Sequence, residues 1–191
     1  MLKTSLISVL VLGTLFIQGC SKGKEEQHIT TVAKTQPKKN PNEFTLQTLT
    51  NEPLTIEKAE NGFLLKGEPE TILLLDVFAT WCPPCQASAA HLSSLQKKYK
   101  KKIKIVGVSI EDGVPRSALE EFQTQHNADY TLVDSPENRR LINTMAEQLK
   151  LGHNFGIPLL AIYKNGKLVR FYQGMVEEEF IESDIKQALG K

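Results

Sequence analysis

A continuous apolar run, TILLLDVFA at 71–79, leads almost directly into the five residues WCPPC at 81–85. The run is rich in branched side chains and has the length of a strand that is buried on both faces. Proline is well accepted in the first turn of a helix, because its missing N–H would have no partner there. The sequence therefore predicts a buried strand, a turn with two cysteines, and a helix that begins at the motif.

Strand-like and helix-like segments alternate over residues 43–191. The dipeptide Asn165–Gly166 is one that a type I′ hairpin turn favours. The predicted order is strands at 44–49, 52–56, 62–67 and 71–79, a helix from the motif to the lysine-rich 97–102, a strand at 103–110, a helix at 115–127, a strand at 130–134, a helix at 136–149, a hairpin at 158–174 and a helix at 177–189. We therefore expect an α/β domain over 43–191 with a central mixed β-sheet flanked by helices.

The helix after the motif is expected to have one apolar face. Its apolar positions recur at helical spacing and are Cys85, Ala89, Leu92, Leu95 and Tyr99. Lysines close the segment, where positive charge suits the negative end of a helix. We interpret His91 and His126 as exposed helix residues and His153 as a surface residue.

Residues 1–19 have the pattern of an export signal. One early lysine precedes an apolar stretch from Leu6 to Ile17, and the segment contains no acidic residue. The stretch is short for a membrane-spanning helix, which needs about twenty apolar residues. The sequence therefore predicts a domain that lies outside the cytoplasm.

The four residues IQGC that end this leader resemble the lipobox of bacterial lipoproteins. The resemblance implies that Gly19 is the last residue removed and that Cys20 carries lipid. An uncleaved anchor helix is the alternative, and it would tether the protein equally. Residues 20–42 are polar and end in proline-rich sequence, so we interpret them as the lipidated cysteine followed by a flexible tether.

The charge balance limits the partners of the chain. The formal net charge is +1 for 191 residues. A nucleic-acid partner held mainly by phosphate contacts would require a strongly basic surface. We therefore expect no nucleic-acid partner.

Apart from Cys20, the chain contains only Cys82 and Cys85. A closed zinc site usually needs four ligands, and no pair of histidines has the spacing that would complete one. A structural disulfide between these cysteines would close a ring so small that it removes little entropy from the unfolded chain. The pair is therefore interpreted as a switchable dithiol, with no metal and no other cofactor.

The position of the pair favours a division of roles. Cys82 lies where a strand meets a helix N-terminus, and free N–H groups and the helix dipole favour a thiolate there. Cys85, one turn later, is within reach to resolve a mixed disulfide. We expect Trp81 to cover the pair as an apolar wall.

Asp76 interrupts the apolar strand six residues before Cys82. A buried carboxylate costs several kcal/mol, so we expect burial to raise the pKa of Asp76. The functional interpretation is a proton acceptor and donor for Cys85. The alternative is an aspartate near the strand end whose side chain reaches solvent.

Two segments of the chain resemble a known family. DVFATWCPPC is similar to the thioredoxin active-site segment, and FGIPLLAIYKNGKLV is similar to the thioredoxin segment that carries a cis-proline and its hairpin. With the leader, the N-terminal strands and a helix–strand insertion between residues 115 and 134, the chain resembles the TlpA/ResA group. These are membrane-tethered thiol–disulfide oxidoreductases outside the cytoplasm, and some serve cytochrome c maturation.

The resemblance implies a thioredoxin-like fold and a role for each motif residue. Cys82 would be the nucleophile, Cys85 the resolving thiol, Asp76 the buried acid and Pro158 the cis-proline. The backbone of Ile157 would pair with an extended substrate strand, and Trp81 would contact the substrate beside it. Three positions depart from the group. Ala90 stands where the group usually has Pro, Ser88 where it usually has Glu, and Asp76 where Asn is common.

Three functions remain open. The first is a reductase of disulfides in substrate proteins, recharged by a membrane electron donor of the DsbD/CcdA type because the chain has no further redox cysteine. The second is an oxidase or isomerase of the DsbA type. The third is a tethered copper chaperone like the Sco proteins, although those carry C-x-x-x-C. We expect a monomer held at the membrane by its lipid.

Overall fold

The computed structural model describes residues 40–152 and 154–191. The predicted signal peptide at 1–19, the lipidation site Cys20, nearly all of the tether and His153 lie outside the described residues. Within these two ranges, no helix combines the length and apolar character needed to cross a membrane.

The observed elements follow the predicted order. They are β1 (Glu43–Gln47), β2 (Pro53–Ala59), β3 (Gly62–Leu65), β4 (Ile72–Phe78), α1 (Pro83–Tyr99), β5 (Ile103–Ser109), α2 (Arg116–Gln125), β6 (Thr131–Val133), α3 (Asn138–Gln148), β7 (Leu159–Lys164), β8 (Lys167–Gln173) and α4 (Glu178–Ala188). Asn165 and Gly166 both have positive φ, as a type I′ turn requires.

One strand is longer than its sequence pattern predicts. β2 continues through Ala59, whereas the prediction ends at Ile56. Glu57 and Lys58 pair with β3 while their side chains remain partly or fully exposed. An antiparallel sheet can face water on one side, so charged residues are compatible with a strand at this position.

The strands form two sheets. The first three strands form an antiparallel sheet of their own, and the other five form a mixed sheet in the order β6-β5-β4-β7-β8. β4 pairs in parallel with β5 and antiparallel with β7. Every residue of β4 is buried, which confirms that the apolar run is the central strand.

The core lies on both faces of the five-stranded sheet. One face packs against α1, α2 and α4 and includes Leu74 and Phe78 of β4. The other packs against α3 and the N-terminal sheet and includes Leu73 and Leu75. Asp76 is two residues from both Leu74 and Phe78 along the strand, so its side chain points to the same face as theirs, the one that α1 covers.

Strand pairing brings the two family-like segments together. Because β4 and β7 are antiparallel, the end of β4 lies beside the start of β7, with Val77 opposite Leu159. Pro158 immediately precedes Leu159, and the cysteine motif immediately follows β4. Residues about 75 positions apart in sequence therefore meet at one edge of the sheet.

Candidate active site

The two cysteines of the motif are joined in a disulfide at the start of α1. Their Cα atoms are 5.2 Å apart. Cys82 is the N-cap residue of the helix, and Cys85 lies in its first turn. Each retains only 3% of its surface exposed. The strand–turn–helix arrangement that the sequence predicts is therefore present.

Ile157 and Pro158 face this disulfide. The peptide bond between them is cis, as the resemblance implies. The carbonyl oxygen of Ile157 lies 4.0 Å from Sγ of Cys82. A backbone segment that passes so close to Cys82 can present its polar groups to a chain bonded to that sulfur.

The helix N-terminus offers few hydrogen-bond donors to Cys82. Pro83 and Pro84 are the first two helical residues, and neither has a backbone N–H. No side chain caps the helix, and its first turn contains no acidic residue. The helix dipole and the N–H groups from Cys85 onward are what α1 can offer to a thiolate at Cys82.

Trp81 lies largely exposed beside the cysteine motif. It retains 66% of its surface exposed, the largest fraction among the exposed large hydrophobic side chains of the described residues. That it covers the cysteine pair stays a prediction, because a side chain lying over the pair would also have an exposed outer face. Both cysteines belong to the buried core beneath the motif, and most of the indole surface is exposed to solvent.

Glu111, which sequence reasoning missed, holds the loop that carries the motif. Its carboxylate accepts the backbone N–H of Thr80 at 2.7 Å and the Thr80 hydroxyl at 3.0 Å. The side-chain amide of Gln86 donates to the Thr80 carbonyl oxygen at 2.8 Å. Thr80 directly precedes Trp81, so these bonds fix the chain at its entry into the motif.

Asp76 is buried, with 3% of its surface exposed. The alternative of a side chain that reaches solvent is therefore wrong. Loss of hydration raises the pKa of Asp76 from its ordinary value of 3.8 to about 6, and a hydrogen bond from Tyr130 partly opposes this. The expected rise in the pKa of Asp76 is confirmed. With a pKa of about 6, this carboxyl group can take up and release a proton near neutral pH.

Tyr130 is the second residue that the sequence analysis did not single out. Its hydroxyl donates to Oδ2 of Asp76 at 2.8 Å, and both groups are buried. In the sequence, Tyr130 appears only as the first residue of a short predicted strand. No sequence pattern around a tyrosine at the start of a strand indicates that its hydroxyl bonds to a carboxylate 54 residues away.

A small cavity lies between Asp76 and α1. Its wall includes Asp76, Ser88, His91, Leu92 and Pro158, and the space open to a water-sized sphere is about 10 Å³. That is close to the volume occupied by one water molecule. The cavity therefore has room for about one water molecule beside the buried carboxyl group.

His91 does not fit its predicted exposed position. It is half-buried, and its Nδ1 atom is buried without a hydrogen-bond partner among the described residues. Ser88 lies one turn earlier on the same side of α1. Its hydroxyl donates to the carbonyl oxygen of Pro84 at 2.8 Å. His126 is likewise only partly exposed, with its ring 5.2 Å from that of Phe122.

The predicted catalytic and substrate-binding residues are brought to one end of the fold, but they are not all in contact. Between residues 40 and 191, His153 excepted, no hydrogen bond joins Asp76 to either cysteine. In these residues, the hydrogen bond of the Asp76 carboxylate is the one from Tyr130. In the same ranges, no group of three or more His, Cys, Asp and Glu side chains is placed to hold a metal ion.

Comparison with known sequences identifies the family. A family model described as Thioredoxin-like matches residues 70–166, just over half of the chain. The chain belongs to the thioredoxin-like family. Its thioredoxin-like segment is similar to the thiol:disulfide interchange protein DsbE of Vibrio cholerae serotype O1, at 34% identity over 107 residues. The alignment covers 56% of this chain and 53% of that protein, so it spans about half the length of this relative.

Solved structures confirm the thioredoxin-like fold. A thiol:disulfide interchange protein of the thioredoxin family from Chlorobium tepidum TLS superposes with a TM-score of 0.60 at 18% identity, covering 78% of this chain and 94% of that one. A secreted Mycobacterium tuberculosis disulfide oxidoreductase homologous to Escherichia coli DsbE superposes with a TM-score of 0.55 at 15% identity, covering 77% and 97%. The predicted fold class is therefore confirmed.

Proposed function

We propose that this protein is an extracytoplasmic thiol:disulfide oxidoreductase that reduces disulfides in substrate proteins. The observation that carries the proposal is the Cys82–Cys85 disulfide at the start of α1, with the cis peptide Ile157–Pro158 facing it. The likeness to interchange proteins supports the same chemistry. A disulfide between residues so close in sequence contributes little to stability, so a redox role explains it better than a structural one.

Reduction proceeds in two exchanges. The Cys82 thiolate attacks one sulfur of the substrate disulfide, which forms a mixed disulfide and releases the other substrate sulfur as a thiolate. Cys85 then gives up its proton and attacks Sγ of Cys82. The enzyme disulfide forms again, and the substrate leaves with two thiols and two additional electrons. Asp76, with its raised pKa, is the proposed acceptor of the Cys85 proton.

Ile157 and Trp81 are the proposed substrate contacts. The Ile157 carbonyl oxygen lies close enough to Cys82 to pair with the backbone of a chain bonded to that sulfur. Trp81 offers a large exposed aromatic surface beside the motif. Aromatic side chains of this kind often contribute much of the binding energy at protein interfaces.

The location and the partners of the protein complete the proposal. The leader at 1–19 and Cys20 support a lipid-anchored monomer on the outer side of a bacterial membrane, with residues 43–191 as the redox domain. The oxidised dithiol needs a donor of two electrons, and a membrane carrier of the DsbD/CcdA type is the proposed partner. Apocytochrome c is one substrate that agrees with the resemblance to the TlpA/ResA group.

Trapping of the mixed disulfide tests this function directly. In the full chain with Cys85→Ala, the second exchange cannot occur, so substrates should stay bonded to Cys82 and be identified by mass spectrometry. The Cys82→Ala variant is the matched control and should trap none. The DsbA-like oxidase is the correct function under a different result. In that case the trap captures only a partner protein that oxidises the Cys82–Cys85 dithiol, and substrate proteins become more oxidised when the protein is present.

A further inference from the structure

The hydrogen bond between Tyr130 and Asp76 crosses a neighbouring strand. Asp76 lies on β4, and Tyr130 directly precedes β6, while β5 runs between them in the sheet. The tyrosine is 4% exposed and the aspartate 3%. The aromatic ring must therefore pass over β5 to bring its hydroxyl within 2.8 Å of the carboxylate.

Gly107 makes this passage possible. It lies on β5 directly opposite Asp76 in the parallel register. A Cβ atom at this position would approach Cδ2 of Leu132 to 2.6 Å and Cε2 of Tyr130 to 2.9 Å. Real Cβ atoms essentially never make contacts this short, so any side chain at Gly107 would displace the tyrosine ring.

The other elements around Asp76 offer it mostly apolar neighbours. β5 and β7 place Gly107 and Leu160 beside it, and α4 contributes Ile181 to the wall of the small cavity. From α1, the cavity wall includes His91 as its ionisable group. Tyr130 is thus the one side chain that donates a hydrogen bond to the carboxylate among the described residues.

The tyrosine keeps its proton throughout the working range of a thiol exchange enzyme. Burial and the adjacent Asp76 raise the pKa of Tyr130 well above 10. The hydroxyl therefore remains a donor, and a donor stabilises a carboxylate more than it stabilises the neutral acid. Because this bond holds Oδ2, the carboxyl group of Asp76 is held in one orientation.

We propose that Tyr130 is a positioning residue for Asp76, whose hydroxyl holds one carboxyl oxygen and thereby decides how readily that carboxyl group releases its proton. This inference rests on the proposed function, in which Asp76 accepts the proton of Cys85. Gly107 is part of the same arrangement, because its lack of a side chain leaves the space that the Tyr130 ring occupies. Tyr130 acts through Asp76 and has no direct contact with the sulfur atoms in the proposal.

The test is a titration of Asp76 in the full-length reduced protein, followed by the 13C shift of its carboxyl carbon. In Tyr130→Phe the midpoint should rise by about one pH unit, because one hydrogen bond to a charged group is lost. Tyr163→Phe is the matched control. Tyr163 is also buried, but it packs on the opposite face of the sheet, and its hydroxyl has no partner in the described ranges. Its removal should leave the Asp76 midpoint unchanged.

An unchanged midpoint in Tyr130→Phe would overturn the proposal, as would an equal shift in both variants. If Tyr130→Phe does not fold, the wild-type protein still decides. The 13Cζ shift of Tyr130 should then follow the titration of Asp76 with the same midpoint, and an independent or flat response would contradict the proposal. The carboxyl titration needs no substrate. A shifted midpoint in a protein that shows no disulfide exchange would therefore support the positioning role and reject the proposed function.

Discussion

The carboxylate of Glu111 accepts the backbone N–H of Thr80 at 2.7 Å and the Thr80 hydroxyl at 3.0 Å. The two residues are 31 positions apart, at the ends of the neighbouring strands β5 and β4. The N–H of Glu111 in turn donates to the Ser109 hydroxyl at 3.1 Å. The end of β5 therefore holds the segment that leads into the cysteine motif.

We expect Glu111→Ala to loosen this segment. Loss of hydrogen bonds to a charged acceptor should lower the free energy of unfolding by about 2 kcal/mol. Amide hydrogen exchange at Thr80 should become faster, because its N–H loses its acceptor. Urea unfolding and exchange followed by NMR measure the two effects. Glu120→Ala is the control, since Glu120 is exposed and pairs with Arg116 one turn away on α2. An equal effect of that substitution would contradict a specific role of Glu111 in holding Thr80.

The raised pKa of Asp76 predicts a pH-dependent stability. The folded protein binds this proton more tightly than the unfolded chain does, because the pKa rises from 3.8 to about 6 on folding. The associated stabilisation is complete below about pH 3.8 and is lost as pH rises through about 6. Above that range, the buried carboxylate should destabilise the protein by about 3 kcal/mol relative to the protonated acid.

Asp76→Asn should therefore be more stable than the wild type at pH 7.5 and nearly equal to it at pH 4. The asparagine can still accept the Tyr130 hydroxyl but carries no charge to desolvate. Urea unfolding of the oxidised protein at both pH values checks this. A stability difference that is the same at the two pH values would show that the effect is one of packing and not of ionisation.

The proposed role of Asp76 in proton transfer predicts an effect on one kinetic step. Asp76→Asn should slow resolution of the mixed disulfide by about a hundredfold, the range expected for loss of a general base. Formation of the mixed disulfide should change little, because Cys82 needs no proton acceptor once it is a thiolate. Stopped-flow kinetics with a model disulfide separate the two steps. Asp184→Asn is the control, since Asp184 is also buried and bonded to a tyrosine but lies on α4. Equal slowing of both steps would reject the role.

The two prolines between the cysteines predict a reducing dithiol. They offer no N–H to the Cys82 sulfur, and the carbonyl oxygen of Ile157 lies 4.0 Å from it. A weakly stabilised thiolate gives a potential nearer about −270 mV than −120 mV. Pro84→His would add a positive charge beside the sulfur and should raise the potential by on the order of 30 mV or more. Equilibration with glutathione measures both values, and a wild-type potential near −120 mV would favour the oxidase.

The leader predicts attachment by lipid at Cys20. In Cys20→Ala, the protein should either remain unprocessed or appear in the soluble fraction, because the acyl chains supply the stable anchor. Fractionation of cells and mass spectrometry of the mature N-terminus distinguish these results. A Cys20→Ala protein that is still cleaved and still sediments with the membrane would exclude the lipobox.

The sequence by itself determined the strand–motif–helix order, the central buried strand, the hairpin turn and the place of Pro158. These features are local, since each follows from the periodicity of side chains or from the backbone limits of proline and glycine. Burial of Asp76 was the favoured prediction, because the residues on both sides of it in the strand are apolar. The pattern could not exclude solvent at the strand end, and only the packed face beneath α1 decided that.

Tertiary structure alone decided which side chains meet Asp76 and the motif. Tyr130 and Glu111 reach their partners from 54 and 31 residues away, and no spacing along the chain marks either contact. Gly107 is one glycine among twelve in the sequence, and its importance appears only when β5 lies between β4 and β6. His91 was predicted to be exposed because the spacing of apolar residues in α1 places it outside the apolar face. The same spacing does not show that a cavity beside Asp76 extends to His91 at the edge of that face. Periodicity defines the face on which a side chain lies, whereas strand order and the space left by a missing side chain decide what that side chain touches.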